Sequence, residues 1–598
     1  MNTRRQFLIR APLGFLASAV ACRNEVQSPG SPSTPGAPPT FGTGTGSGPD
    51  VSPATFAEAE KLMQVSMTAA ERQQAADTWR RSLAPYLERR AGPRKVVLAP
   101  TDLPAMLWNP MLPGIEAGPS RDRFVRSNAG DAPLPSSDEA IAFAPVTELA
   151  RWIQSRTLTS QRLTNIYLSR IERFDGKIRS VITITKDQAL ARARQVDAEI
   201  ASGKYRGPLH GIPYGVKDLL DTKDIATTYG AEPFRNRVPS DDSAVVRRLN
   251  DAGAVLIAKL SLGALALNDI WFGGQTMNPW LLEEGASGSS AGPGAATAAA
   301  LVAFSIGSET AGSIVSPAMR CGVTGLRPTF GRVPRTGAMT LCWSLDKLGP
   351  MTRSVEDAML VLQAITGPDA GDASSVPSRL DFDLTAPVAG LKVGYVAQWM
   401  KDSPATDVDR SAMETMKKLK METREVTLPD WPYSSLLPIL FAEGAASFEE
   451  LALNNQLGTL KVQVKDAWPN LFRQARFLSA VDFVQADRLR RKVALEMARI
   501  FREVDVLMVP SLRDEQITIT NFTGHPSLTL RAGFVLVPEA RSDWAPDPAN
   551  PLPTFDPPRR VPHGITLIGR LFEDGLVGRV GVALERAFGV AAERPAGF

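Results

Sequence analysis

The sequence predicts an α/β domain in which a central mixed β-sheet is wrapped by helices. Three observations predict it. Residues 211–217 (GIPYGVK) form a short apolar run, residues 243–251 carry helical spacing, and 254–258 (AVLIA) is a buried-strand candidate closed by Lys259. That strand–helix–strand order implies parallel pairing. LVAFSI (301–306), LKVGYV (391–396) and VDVLMVP (504–510) supply further strands of the same kind. Finally, Leu149, Trp152 and Ile153, then Leu163, Ile166, Tyr167, Ile171 and Phe174, recur at the spacing of an apolar helix face.

Taken in order, the chain opens with MNTRRQFLIR, where Arg4 and Arg5 precede Phe7 and Leu8, followed by the apolar stretch 11–21. This is a twin-arginine export pattern, so 1–21 is expected to be a signal peptide. Ala19, Val20 and Ala21 precede Cys22 as in a lipoprotein processing box, which makes Cys22 a candidate lipid anchor. The alternative is ordinary cleavage after Ala21. Residues 22–55 are rich in Pro, Gly and Ser and read as a disordered tether. Thr68 and Glu71 stand at capping-box spacing and open a helix through about residue 84, so 56–136 is expected to be a helical arm outside the catalytic region. The catalytic domain is expected to run from 137 to 598. Thr159 is a plausible cap within its first helical stripe, and a further helix runs from about Asp187 to a stop at Gly203. Residues 405–502 are helix-rich and are expected to form the variable wall of a substrate channel.

Bulk properties exclude several classes. The net charge of +4 over 598 residues leaves no nucleic-acid footprint. No internal apolar run reaches the length of a membrane span. Only Cys321 and Cys342 remain beyond Cys22, too few for a disulfide scaffold, and both are expected to be reduced.

The chemistry concentrates in 285–329, where Ser289 and Ser290, then Ser313 (24 positions after Ser289), lie in beds of Gly and Ala. Small residues let backbone N–H groups approach a ligand and present a serine to a carbonyl carbon. Upstream, Lys217 ends the apolar segment 211–217. A lysine can act as base where burial lowers its pKa. Such equipment suits a serine hydrolase that works without histidine.

These residues resemble the amidase signature family, whose pattern runs roughly GGSSGG, GTDTGGSIRxPA, CGxxGLKPT. This chain has SGSSAG, GSETAGSIVSPA and CGVTGLRPTFGRVPRTG, then SLDKLGPMTRSVEDA. GPLHGIPYGVKD and DDSAVVRRLNDAGAVLIAKLSLGA match upstream; TNFTGHPSLTL and GITLIGRLFEDG match more weakly downstream. The resemblance covers about 137–588 and implies a single amidase-signature domain. It implies Ser313 as nucleophile, Ser289 after a cis peptide as bridging serine, and Lys217 as base. Backbone N–H groups of Thr310, Ala311, Gly312 and Ser313 are expected to form the oxyanion hole. Ser290, Ser308 and Glu309 are expected to stand behind the relay and hold it in place. No cofactor and no metal is implied.

The chain departs from the family pattern at Glu309, Ala291, Ala311, Val315 and Arg320. A longer Glu309 reaching Arg320 is a candidate replacement for the charge pair lost at Val315. Two rival motifs occur. Residues 288–292 match the GxSxG elbow, but 278–287 reads as a poor strand to precede one. Residues 344–347 match SxxK, but no KTG triad follows. His210, His525 and His563 lie in turn-like settings and are too scattered for a metal site. The resulting expectation is an exported amidase, periplasmic or membrane-tethered, that hydrolyses a small-molecule carboxamide through an acyl-enzyme. Its alternatives are a catalytically weak tethered binding protein and the amide-transferring component of an amidotransferase that works on tRNA-linked glutamate.

Overall fold

The computed structural model describes residues 46, 48–82, 95, 98, 108–127, 130, 132–544 and 547–598. The expected signal peptide and Cys22 lie outside the described residues. The chain divides into two compact units, Met1–Val97 and Leu98–Phe598.

In the first unit, helices Pro53–Met63 and Ala69–Ser82 pack as a pair. The capping box forms as expected: the Thr68 N–H donates to Glu71 Oε2 at 2.6 Å, and the Glu71 N–H to Thr68 Oγ1 at 3.3 Å. Arg72 grips Glu60 with two bonds of 2.7 and 2.8 Å, and Phe56 meets Trp79 edge to face. A helix from Pro53 thus starts inside the stretch read as tether, because Ser52 caps it and proline suits a first helical turn.

The second unit carries strands β1 (Arg123–Val125), β2 (Val181–Ile184), β3 (Pro213–Lys217), β4 (Val255–Leu260), β5 (Ile270–Trp271), β6 (Gly274–Gln275), β7 (Met277–Asn278) and β8 (Leu281–Gly285). They continue with β9 (Phe304–Glu309), β10 (Thr324–Arg327), β11 (Lys347–Thr352), β12 (Asp381–Asp383), β13 (Lys392–Tyr395), β14 (Glu422–Glu425), β15 (Val506–Pro510), β16 (Ser527–Glu539) and β17 (Thr554–Gly569). Eleven of them form one sheet in the order β14-β13-β15-β17-β16-β10-β11-β9-β3-β4-β2. The sheet is mixed, as expected. β3 pairs in parallel with β4 and β9, whereas β9–β11, β11–β10, β10–β16 and β16–β17 are antiparallel.

The β3–helix–β4 unit forms where the sequence places it. Ser243 caps the helix Ala244–Asp251, whose apolar face is buried. β3 lies inside the sheet and is buried at every residue. Tyr214 faces Phe304 across β3 and β9 with rings stacked 5.3 Å apart, which pins the register that carries Lys217 to the strand end. The long apolar stripe is buried in helix Ser160–Ile178, capped by Thr159. Helix Lys186–Ala201 precedes Gly203 at φ +89°.

β9 begins three residues later than the apolar run 301–306 suggests. Residues 299–303 are a buried bend whose carbonyls are met by side chains instead of a strand partner. Arg170 donates to the carbonyls of Ala299 and Ala300 at 2.9 and 2.8 Å, and Arg353 to that of Val302 at 2.8 Å. A satisfied buried backbone of small apolar residues imitates a strand in sequence.

Candidate active site

Lys217 closes β3 and is fully buried. Its Nζ donates to Ser289 Oγ at 2.7 Å, to Ser308 Oγ at 2.9 Å and to Ser290 Oγ at 3.0 Å. All three partners are neutral hydroxyls. Burial therefore pushes the ammonium well below an ordinary lysine value, against the weaker pull of Asp346 and Glu309.

The serines come from two segments that converge on this nitrogen. Ser289 follows the Gly288–Ser289 peptide, which is cis. Only glycine fits at 288, because a Cβ there would stand 1.8 Å from the Asn268 carbonyl oxygen. Ser290 opens the helix Ala291–Ala298, whose residues are all buried. Its hydroxyl donates to the Ser308 carbonyl at 3.0 Å and accepts the Ser308 N–H at 3.1 Å, stitching this helix start to β9.

Ser313 sits on the turn between β9 and helix Val315–Cys321. Its carbonyl accepts the Ser290 N–H at 3.1 Å, so the turn is tied by main chain to the serine pair. Lys217, Ser289, Ser290 and Ser308 thus share direct side-chain bonds. Among the described residues, no side-chain hydrogen bond joins Ser313 to them. Gly312 adopts φ +99°, a conformation that favours glycine, and Ala311 beside it is exposed.

Glu309 holds this turn from behind. Its Oε2 accepts the N–H groups of Ile314 and Val315 at 2.8 and 2.9 Å, at the start of the following helix. Its Oε1 takes Arg327 at 2.6 Å and Asn521 Nδ2 at 2.9 Å. Burial alone would raise the carboxyl, but Arg327 and the backbone donors outweigh it and hold it down to about 2. The anticipated pairing of Glu309 with Arg320 does not form. Arg327, on β10 beside the turn, takes that place, while Arg320 is buried and paired with Asp543 at 3.0 Å.

Asp346 is a member of the site that sequence reasoning missed. It accepts Thr310 Oγ1 at 2.7 Å and the N–H groups of Leu341 and Cys342 at 2.8 and 2.9 Å. The signal available was its place within the SLDKLGP block. A pocket lined by Ser308, Thr310, Met339, Leu341, Trp343 and Asp346 opens beside it. Its described lining comes from 335–348 and nearby loops and includes nothing from 405–502, where a channel wall was expected. The helices of 405–502 do form, and Glu443 and Arg490 hold Ser344 from behind.

The rival motifs are occupied otherwise. A five-residue strand, β8, does precede the GxSxG match, correcting the expectation of a poor strand there. Among the described residues it pairs only with β7, where Asn278, bonded to Glu284, anchors the hairpin. Ser290 at that elbow is fully buried with its hydroxyl donated to Ser308. Ser344 donates to Glu443 at 2.6 Å, while Lys347 points to the Leu345 carbonyl. Burial, aided by Arg327, pushes Lys347 down to about 7. The histidines are bonded elsewhere: His210 to Glu199, His525 to Thr523 and His563 to Asp409. Cys321 and Cys342 are both buried and free.

The family model for amidases matches residues 162–577. The chain belongs to the amidase signature family. It is 36% identical over 492 residues to the Mycobacterium tuberculosis protein named "Putative amidase AmiD", covering 78% of this chain and 99% of that one. It is 31% identical over 481 residues to a component of the glutamyl-tRNA(Gln) amidotransferase of Geobacillus thermodenitrificans, covering 75% and 98%. Among solved structures it resembles the peptide amidase of Stenotrophomonas maltophilia with a TM-score of 0.65 and 28% identity, covering 76% and 98%. This amidase is accordingly an enzyme acting on amide carbon–nitrogen bonds.

Proposed function

We propose that the enzyme is an exported amidase that cleaves a carboxamide through Ser313, Ser289 and Lys217. The observation that carries the reading is the buried Lys217 nitrogen, 2.7 Å from Ser289 Oγ and hydrogen-bonded to hydroxyls without a carboxylate contact. An ordinary lysine, with a pKa of about 10.4, is protonated at neutral pH. A lysine desolvated in this way is neutral over a wider range and can take a proton.

The relay runs from Ser313 to Ser289 to Lys217 as Ser313 Oγ attacks the amide carbon. The carbonyl oxygen becomes an oxyanion beside the 310–313 turn, where backbone N–H groups receive it, each contributing roughly 3 kcal/mol. The proton returns through Ser289 to the leaving nitrogen as the C–N bond breaks. Water then releases the acid from Ser313 by the reverse relay. The 335–348 stretch that lines the neighbouring pocket selects the substrate side chain. Arg4 and Arg5 support export, with Cys22 as the anchor of a tethered form.

The likeness to an amidotransferase component favours a second reading, the amide-transferring component that works on tRNA-linked glutamate; export would separate this chain from tRNA. The test is amide turnover by the mature protein beside Lys217→Ala, Ser289→Ala and Ser313→Ala. A large fall in turnover is expected in all three, with a residual turnover still measurable in Ser289→Ala, and phosphonate labelling is expected at Ser313. Full activity in Ser289→Ala defeats the relay, and amide binding without turnover by the wild type identifies a binding protein.

A further inference from the structure

The antiparallel pair β16 and β17 extends beyond the sheet, and after β16 residues 541–543 return to the loop that carries Ser289. Side-chain bonds hold them there, and Asn268 Nδ2 also donates to the Asp543 carbonyl at 3.3 Å. Arg541 clasps Glu284 on β8: its N–H donates to Oε2 at 2.9 Å and its guanidinium to Oε1 at 2.6 Å. The Arg320 guanidinium donates to Asp543 Oδ1 at 3.0 Å and to the Arg541 carbonyl at 3.1 Å. The other Asp543 oxygen, Oδ2, accepts both the Ser287 hydroxyl at 2.6 Å and the Gly288 N–H at 3.0 Å.

Ser287 is where this matters. It stands at φ +64°, the left-handed region that a serine adopts only where its surroundings enforce it. Its hydroxyl is taken by Asp543. The next residue but one is Ser289, whose Oγ meets Lys217. Arg320 is buried and aims the Asp543 carboxylate while neutralising it. The arginine that interrupts the family pattern therefore serves the loop of the bridging serine and leaves the Ser313 turn to Glu309.

We propose that Asp543 is a positioning residue of the amide-cleaving site: oriented by Arg320, it fixes Ser287 and Gly288 so that Ser289 is aimed at Lys217. The inference rests on Ser289 being the bridging serine. The Asp543 carboxylate bonds Ser287, Gly288 and Arg320 and none of Lys217, Ser289 and Ser313, so its effect travels through the placement of Ser289. Misplacement of a proton-handling group by about 1 Å costs on the order of a hundredfold in rate. Asp543 is not among the residues that line the pocket beside the site, so the loss is expected in kcat and not in KM.

A double-mutant cycle on the full chain tests this. Asp543→Ala is expected to lower kcat by about tenfold to a hundredfold with KM within about twofold. In the Ser289→Ala background the same substitution is expected to change kcat by less than about twofold, because nothing is left to position. Ser287→Ala, which removes one of the two donors and spares the Arg320 pair, is expected to lose less than Asp543→Ala and to show the same non-additivity. It decides the question alone should Asp543→Ala fail to fold. An equal loss in both backgrounds, or a loss carried by KM, overturns the positioning role. Full activity in Ser289→Ala by itself overturns the relay reading instead, so the two failures are distinguishable.

Discussion

Replacing Glu309 with glutamine keeps the side chain's shape and removes its charge. Arg327 is then left fully buried, 2.6 Å from an amide where a carboxylate stood, with Thr520 Oγ1 and the His525 carbonyl as its remaining acceptors. Breaking a buried pair from one side costs roughly 3–5 kcal/mol. Proton linkage gives an independent figure. The gap between the ordinary 4.5 and about 2 in the folded protein corresponds to about 3 kcal/mol at roughly 1.4 kcal/mol per pH unit. The folded value is depressed, so this stabilisation is present above pH 4.5 and is lost as pH falls towards 2. Urea unfolding of wild type and Glu309→Gln at pH 7, 5 and 3 checks it. The difference is expected to be about 3 kcal/mol at pH 7 and to shrink to less than half of that at pH 3. A difference under about 1 kcal/mol at pH 7, or one that stays constant down to pH 3, refutes the assignment of Glu309 as the ionised anchor of the turn.

The kcat/KM profile for an amide is expected to fall towards acid as Lys217 protonates, with its midpoint well below the ordinary lysine value because burial lowers it. An activity that rises only near pH 10 contradicts a neutral Lys217 as base. Arg4→Lys combined with Arg5→Lys is expected to hold the protein in the cytoplasm, measured by cell fractionation. Cys22→Ala is expected to move the exported protein from the detergent phase to the aqueous phase; an unchanged partition rules out the lipid anchor.

The parts of the site legible in the sequence are those written in local pattern. Lys217 ends a short apolar run that becomes an internal strand, and the Gly/Ala beds around Ser289 and Ser313 become the close-packed segments that small residues permit. Caps at Thr68 and Thr159 are readable for the same reason, since capping needs only a polar side chain a turn away. Partner choice is not. Glu309 has Arg320 and Arg327 at similar sequence separation, and only the antiparallel placement of β10 against β11 and β16 brings Arg327 to it. Asp543 meets Ser287 across a separation of 256 residues, through a hairpin whose returning strand, β17, begins TFDPPRRVP, polar and proline-rich with little strand signal. β14 reads ETRE and is an edge strand largely open to solvent, so no apolar alternation announces it.

The neutral company of Lys217 has a consequence for the conditions under which the enzyme can work. Pairs on the outside, such as Arg560 with Glu593, lie within reach of dissolved ions and weaken as ionic strength rises. The Lys217 nitrogen is tuned by its burial and by hydroxyl groups, and of the carboxylates that act on it Glu309 is fully buried while Asp346 is buried at the pocket wall. Salt therefore has no solvated ion pair at this nitrogen to screen. The proton affinity of the base is insulated from the composition of the medium, so brine and dilute buffer present it with the same environment.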